Sequence, residues 1–231
     1  MNKISRTLFW FEDENEVINE LVHDFLGLGT LLNRLLNEKY TGKKIQFINL
    51  DFSTPENYNR FPSSPKEEPH YYGGHLRYYG VFDLEEFSNL NWKEKTNFVW
   101  EHGCKNLIKS AKIIGNTDLL EAVQYAYKKG LKIDLNPDYQ VVETTFELNG
   151  EKFTAAVWIN FKRDGMYSKL TVENNDKIVF EKDLQGAENG TEFFLDMYKG
   201  IEFKNNVIII KGPKDAGLPL KIPFKFPPET A

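Results

Sequence analysis

The sequence predicts an α+β protein, with an N-terminal half of mixed strands and helices that includes an αα-hairpin and a C-terminal antiparallel β-meander. Three observations carry this. Strand-like runs alternate with apolar stripes of helical period up to about residue 130; two successive helices there are framed by capping residues and glycines; and from Val141 onward the apolar period becomes two, punctuated by Asn-Gly, Asp-Gly and Asn-Asn. A length of 231 residues suits one large domain or two small ones. The change of period places the expected boundary at Asn136-Pro137-Asp138, with an α/β-like region over 1–137 and an antiparallel β-sheet region with an extended, Pro-containing tail over 138–231.

Ile4 to Phe11 is β-branched and aromatic and reads as a strand. A helix is expected from about Asp13, with Val17, Ile18, Leu21, Val22 and Phe25 on one stripe, broken by Gly27 and Gly29. Leu31 to Tyr40 gives a second helical piece and Lys44 to Leu50 a second strand. The chain between the two strands is long enough for a β-α-β crossover, which makes them parallel neighbours. Residues 51–75 hold Pro55, Pro62, Pro65 and Pro69 and are expected to be a long loop without helix or central strand. Leu76 to Phe82 returns to strand character.

Asp83 with Glu86 forms a capping box and Phe82 with Phe87 a hydrophobic staple, so a helix starts there. Asn91 with Glu94 repeats the signature ahead of a longer helix ended by Gly115, and Asp118 with Glu121 opens its antiparallel partner, closed by Gly130.

In the meander, a type I′ turn at Asn149-Gly150 sets Glu147 against Lys152, Phe146 against Phe153 and Val142 against Val157. A turn at Asp164-Gly165 brings Ile159 opposite Leu170 and Val157 opposite Val172. A three-residue loop of Asn174, Asn175 and Asp176 then aligns Val172 with Ile178 and Leu170 with Phe180. Asn205-Asn206 turns a last hairpin with Phe203 facing Ile208, and the tail from Leu218 is an extended strip that covers an edge or an open face of the sheet.

A formal net charge of −5 argues against broad nucleic-acid binding, which needs clustered Lys and Arg to neutralise phosphates. No apolar run approaches the roughly 20 residues of a membrane helix, and Glu12, Asp13 and Glu14 interrupt any export signal. A lone cysteine, Cys104, fits a reducing compartment, so the expected location is cytoplasmic.

Two features remain as candidate sites. The first is the segment from His70 to Gly80, dense in Tyr, Gly and His, where Tyr rings offer flat contact and Arg77 offers a planar clamp for an anionic group. The second is an acidic stretch with Glu16 and Glu20 opposite the apolar stripe and Asp24 beyond them, suited to steering a basic partner. No complete catalytic arrangement accompanies them. On the expected helix His102 points away from Cys104, Gly-x-Ser-x-Gly is absent, and Gly27-Leu-Gly29 is not a dinucleotide fingerprint.

The expectation is therefore a non-enzymatic cytoplasmic binding protein without cofactor or resident metal, of the immunity or inhibitor type that neutralises a basic protein such as a toxin. Its partner-binding residues are His70, Tyr71, His75, Arg77, Glu16, Glu20 and Asp24. The competing expectation is a metal-assisted or general-base hydrolase that uses His70 and His75 with Glu67, Glu68 or Asp83, with Arg77 holding an anionic group.

Overall fold

The computed structural model describes residues 3–13, 16–60 and 68–226. The chain is α+β and forms two compact units, 1–137 and 138–231. No helix among the described residues is long and apolar enough to cross a membrane.

The first unit contains strands β1 (Arg6–Asp13), β2 (Glu16–Val17), β3 (Phe47–Ser53), β4 (Pro69–Tyr72) and β5 (His75–Val81). Its helices are α1 (Asn19–Asp24), α2 (Leu26–Asn37), α3 (Pro55–Arg60), α4 (Leu84–Asn89), α5 (Trp92–Ile113) and α6 (Thr117–Lys132). The sheet order is β2-β1-β3-β5-β4. β1, β3 and β5 run parallel, and the short outer strands pair antiparallel to their neighbours.

Alternation along the parallel strands puts Phe9 and Phe11, Ile48, Leu50 and Phe52, and Leu76 and Tyr78 into one core with the leucines of α2, Val99 and Trp100 of α5, and Leu119 and Val123 of α6. Phe11 sits among aromatic rings, within 5.1 Å of Phe52, 5.4 Å of Phe25 and 5.9 Å of Phe87 between centroids. Such a cluster buries large apolar area at little cost in side-chain entropy.

Several boundaries depart from the sequence expectation. No helix begins at Asp13: β1 continues to that residue, Val17 pairs with Glu12, and Ile18 N–H donates to the Phe11 carbonyl at 2.8 Å. The β-branched Val17 and Ile18 thus complete a hairpin, and α1 is left with six residues. Gly27 and Gly29 lie inside α2, and the break falls at Phe25, whose φ of −99° and ψ of 9° end α1. Gly29 serves close packing, because a Cβ there would stand 2.8 Å from the Thr7 carbonyl oxygen of β1. Gly130 likewise lies inside α6, where a Cβ would run into the Trp100 indole, so it lets α5 and α6 approach.

The Pro-rich stretch 51–75 is not loop throughout. Pro55 occupies the first position of α3, where its missing N–H costs nothing, and Pro69 opens the edge strand β4. Asn91 and Glu94 form the complete capping box of α5, and Asp83 caps α4 through Glu86 N–H. The cap of α6 is Asn116, which accepts from Leu119 N–H, in place of Asp118.

The second unit is a four-stranded meander, β6 (Tyr139–Leu148), β7 (Glu151–Lys162), β8 (Gly165–Asn174) and β9 (Lys177–Ala187), with a three-stranded sheet of β10 (Gly200–Lys204), β11 (Val207–Lys211) and β12 (Leu220–Pro223). The β6/β7 and β10/β11 registers match the sequence expectation, with Glu147 on Lys152, Val142 on Val157 and Phe203 on Ile208. The tail adds β12 to the edge of β11. Stacking of Phe146 on Phe203 at 4.0 Å, with Phe153 and Phe224 beside them, joins the two sheets.

The other two registers differ. Gly165 belongs to β8 and pairs with Lys162, so the turn is Arg163-Asp164 and Val157 faces Leu170 while Ile159 faces Ser168. The slip is by two residues, which keeps the same side chains inside. After β8 the turn is Asn175-Asp176, with φ of 49° and 61°, and an irregularity at Val172/Glu173 then sets Val172 opposite Phe180.

Candidate functional site

Residues that alternate with the core side chains on β1, β3 and β5 share the other sheet face, and the registers arrange them in rows. Arg6, Phe47, His75 and Tyr72 form one row, Leu8, Asn49, Arg77 and His70 the next, and Trp10, Asp51 and Tyr79 a third. Glu12 and Ser53 follow at the carboxyl ends of the parallel strands, the position where open α/β sheets place ligands.

At this end Arg77 is held by two carboxylates. Its Nε donates to Asp51 Oδ2 at 2.5 Å and its Nη2 to Glu12 Oε1 at 3.1 Å, with the guanidinium carbon 4.8 Å from the centroid of Tyr79. Asp51 is fully buried, and its Oδ1 has no hydrogen-bond partner among the described residues. Burial pushes the Asp51 carboxyl up to about 7; the charge and hydrogen bond of Arg77 oppose that rise, and the charge of Glu12 adds to it. Glu12 Oε2 accepts from Ser53 Oγ and Asn57 Nδ2, each at 3.4 Å, and Asp13 accepts from Thr54 Oγ1 at 2.6 Å. These contacts tie the end of β1 to the end of β3 and to α3.

Beside them lies an open cleft of about 540 Å³, lined by Asp13, Thr54, Pro55, Glu56, Asp83, Leu84, Glu85 and Ser88. Four of those residues are carboxylates and none is Lys or Arg. Glu56 and Glu85 stand in the first turns of α3 and α4, where the helix dipole favours acids. Asp13, at a strand end, has no such explanation.

The structure gathers the candidate residues of the β4/β5 hairpin. His70 is exposed opposite Arg77; Tyr71 donates its hydroxyl to the Lys44 carbonyl at 2.7 Å; and His75, also exposed, stacks on Phe47 at 4.6 Å. Tyr72, opposite His75, is 79% exposed. Arg77 differs from the expected anion clamp, since two of its donors are already spent on Asp51 and Glu12.

The acidic set does not share one helix face. Glu16 is in β2 opposite Asp13, Glu20 is exposed in the first turn of α1, and Asp24 is half-buried at that helix's end. The histidines and Asp83 are not brought together either. Asp83 follows His75 by eight residues of mostly extended chain, about 25 Å at the rise of a strand. Among the described residues no three His, Cys, Asp or Glu side chains are grouped to hold a metal; Glu67 lies outside those residues. Cys104 is buried with its thiol pushed up by desolvation, and His102 bonds the Phe98 carbonyl at 2.9 Å.

The fold and this site define a two-unit α+β protein with an acidic cleft at the carboxyl ends of the parallel strands of a mixed sheet. In comparison with known proteins, no family model, no curated protein and no solved structure matches the chain.

Glu12 and Asp51 are the site residues that sequence reasoning missed. Their signal was present, because the alternation Ile48, Leu50, Phe52 continues past Leu50 and places Asp51 within the strand, on the face opposite the core.

Proposed function

We propose that the protein is a cytoplasmic, non-enzymatic binding protein whose partner is basic, in the manner of an inhibitor or immunity protein that neutralises a toxin. The observation that supports this reading is the cleft lined by Asp13, Glu56, Asp83 and Glu85, with no Lys or Arg among its described lining residues. A concave, uncompensated acidic site favours a Lys or Arg side chain and accelerates its encounter. Arg77, seated between Glu12 and Asp51 a few residues away, illustrates the complement this sheet edge makes to a guanidinium. The exposed His70, Tyr72 and His75 on the β4/β5 hairpin offer a second contact area on the same unit.

The test is a native pull-down with the full chain, compared with a Glu56→Lys/Glu85→Lys variant and, separately, a Glu16→Lys/Glu20→Lys/Asp24→Lys variant. A basic protein retained by the wild type, released by salt and lost with the first variant supports the cleft. Loss only with the second variant moves the contact to the β2–α1 segment. Capture unaffected by either removes the acidic surface from the reading.

A further inference from the structure

Asp51, Glu12 and Arg77 set two carboxylates against one guanidinium, and the imbalance is geometric as well as electrostatic. Asp51 Oδ2 and Glu12 Oε1 each accept from Arg77, while Asp51 Oδ1 is buried with no hydrogen-bond partner among the described residues. A buried carboxylate oxygen without a donor is costly, and the cost is smaller when the group becomes neutral. A proton is small enough to reach Oδ1 without opening the sheet.

We propose that Glu12, Asp51 and Arg77 form a proton-operated latch: with Asp51 ionised, Arg77 ties β5 to both β3 and β1, and one proton taken up at Asp51 Oδ1 turns the Asp51 contact from an ion pair into a weaker neutral hydrogen bond at Oδ2, while Glu12 keeps its charge on the guanidinium. The proton comes from solvent and no other bond is made or broken. Among the described residues, the charged groups that act on Asp51 are Arg77 on β5 and Glu12 on β1, with Tyr79 paired to it on β5 and His70 opposite Arg77 on β4. The buried position of Asp51, with its carboxyl at about 7, places the change near neutrality.

Glu12 also accepts from Ser53 and Asn57, so the latch acts on the β3–α3 segment that continues into the cleft through Thr54 and Glu56. It stands without the basic-partner reading, since it needs no ligand.

The experiment is NMR on the full chain from about pH 5 to about pH 9, following the Asp51 side-chain carboxyl carbon and the Arg77 Nε–H together. One shared midpoint near neutrality is expected. In Asp51→Asn the Arg77 response should vanish; in Glu12→Gln the Asp51 midpoint should fall, because the surplus negative charge is gone; and His70→Asn should leave it in place. An Asp51 midpoint at the ordinary value of about 4 overturns the proposal in the wild type alone. An Arg77 transition that survives in Asp51→Asn, or disappears in His70→Asn, also overturns it.

Discussion

Replacing Arg77 by Met removes the cation from a fully buried carboxylate while keeping an unbranched apolar stem, and the cost should depend on pH in a defined direction. Asp51 has its carboxyl raised to about 7 in the folded chain, against about 3.9 when unfolded. Between those values the folded state binds the extra proton, so wild-type stability falls as pH rises through about 4 to about 7. At about 1.4 kcal/mol per unit, a shift of about three units bounds that loss near 4 kcal/mol.

Arg77 lowers the Asp51 value by its charge and hydrogen bond, so the Met variant carries a still higher one and its decline continues past neutrality. The difference between the two proteins should then be flat below about pH 6 and grow by about 1.4 kcal/mol for each pH unit above about 7. It should be about 2 kcal/mol larger at about pH 8.5 than at about pH 5.5. The Glu12 contact adds little, because Arg77 is 37% exposed on that side chain and screened by solvent. Urea titration read by tryptophan fluorescence measures this, and a Trp158→Phe background confines the signal to residues 1–137, where Trp10, Trp92 and Trp100 lie. An equal cost at the two pH values, or a larger one at the lower, would refute the argument.

Gly130→Ala places a methyl group against the Trp100 indole in the α5–α6 crossing and should cost about 1–3 kcal/mol, read as a lower urea midpoint with secondary structure retained by circular dichroism. Cys104, 1% exposed and with its thiol pushed up by burial, should resist maleimide in the native protein and label in urea, as followed by mass spectrometry.

The parts of the fold legible in the sequence are those specified by local chemistry. The capping box at Asn91 and Glu94 forms as the side-chain pattern requires, and Asn149-Gly150 adopts the positive φ angles of its turn, 53° and 82°. Of the elements decided by distant contacts, the parallel pairing of β1 with β3 was legible from the length of the crossover, and others were not. Val17 and Ile18 carry a helical stripe with Leu21 and Val22, yet they are used to extend a hairpin with β1, because pairing with Glu12 and Phe11 competes with helix formation at a segment that starts without a cap. Gly27, Gly29 and Gly130 read as helix breakers by propensity; the last two instead admit a neighbouring backbone or indole, information held by Thr7 and Trp100.

The same distinction explains the candidate site. Arg77 stood out as an isolated arginine among aromatics, but its role depends on two acids far away in the chain, 26 and 65 residues off. Glu12 and Asp51 each follow an apolar run, and charge at such a position reads as the end of a strand. In a parallel sheet, however, the carboxyl ends of neighbouring strands are brought side by side, so residues that look like separate boundaries become one cluster. Once β1, β3 and β5 are aligned, Glu12 falls beside Ser53, and Asp51 beside Tyr79, two residues after Arg77 on β5. The setting of Asp51, whose Oδ1 has no partner among the described residues, follows from that alignment, whereas the cleft adds acids of α3 and of α4 with its cap, Glu56, Asp83 and Glu85, to Asp13 at the end of β1. Acids that follow the apolar runs of two predicted parallel strands therefore point to the Glu12–Asp51–Arg77 cluster, of which the tyrosine-rich segment supplies only Arg77.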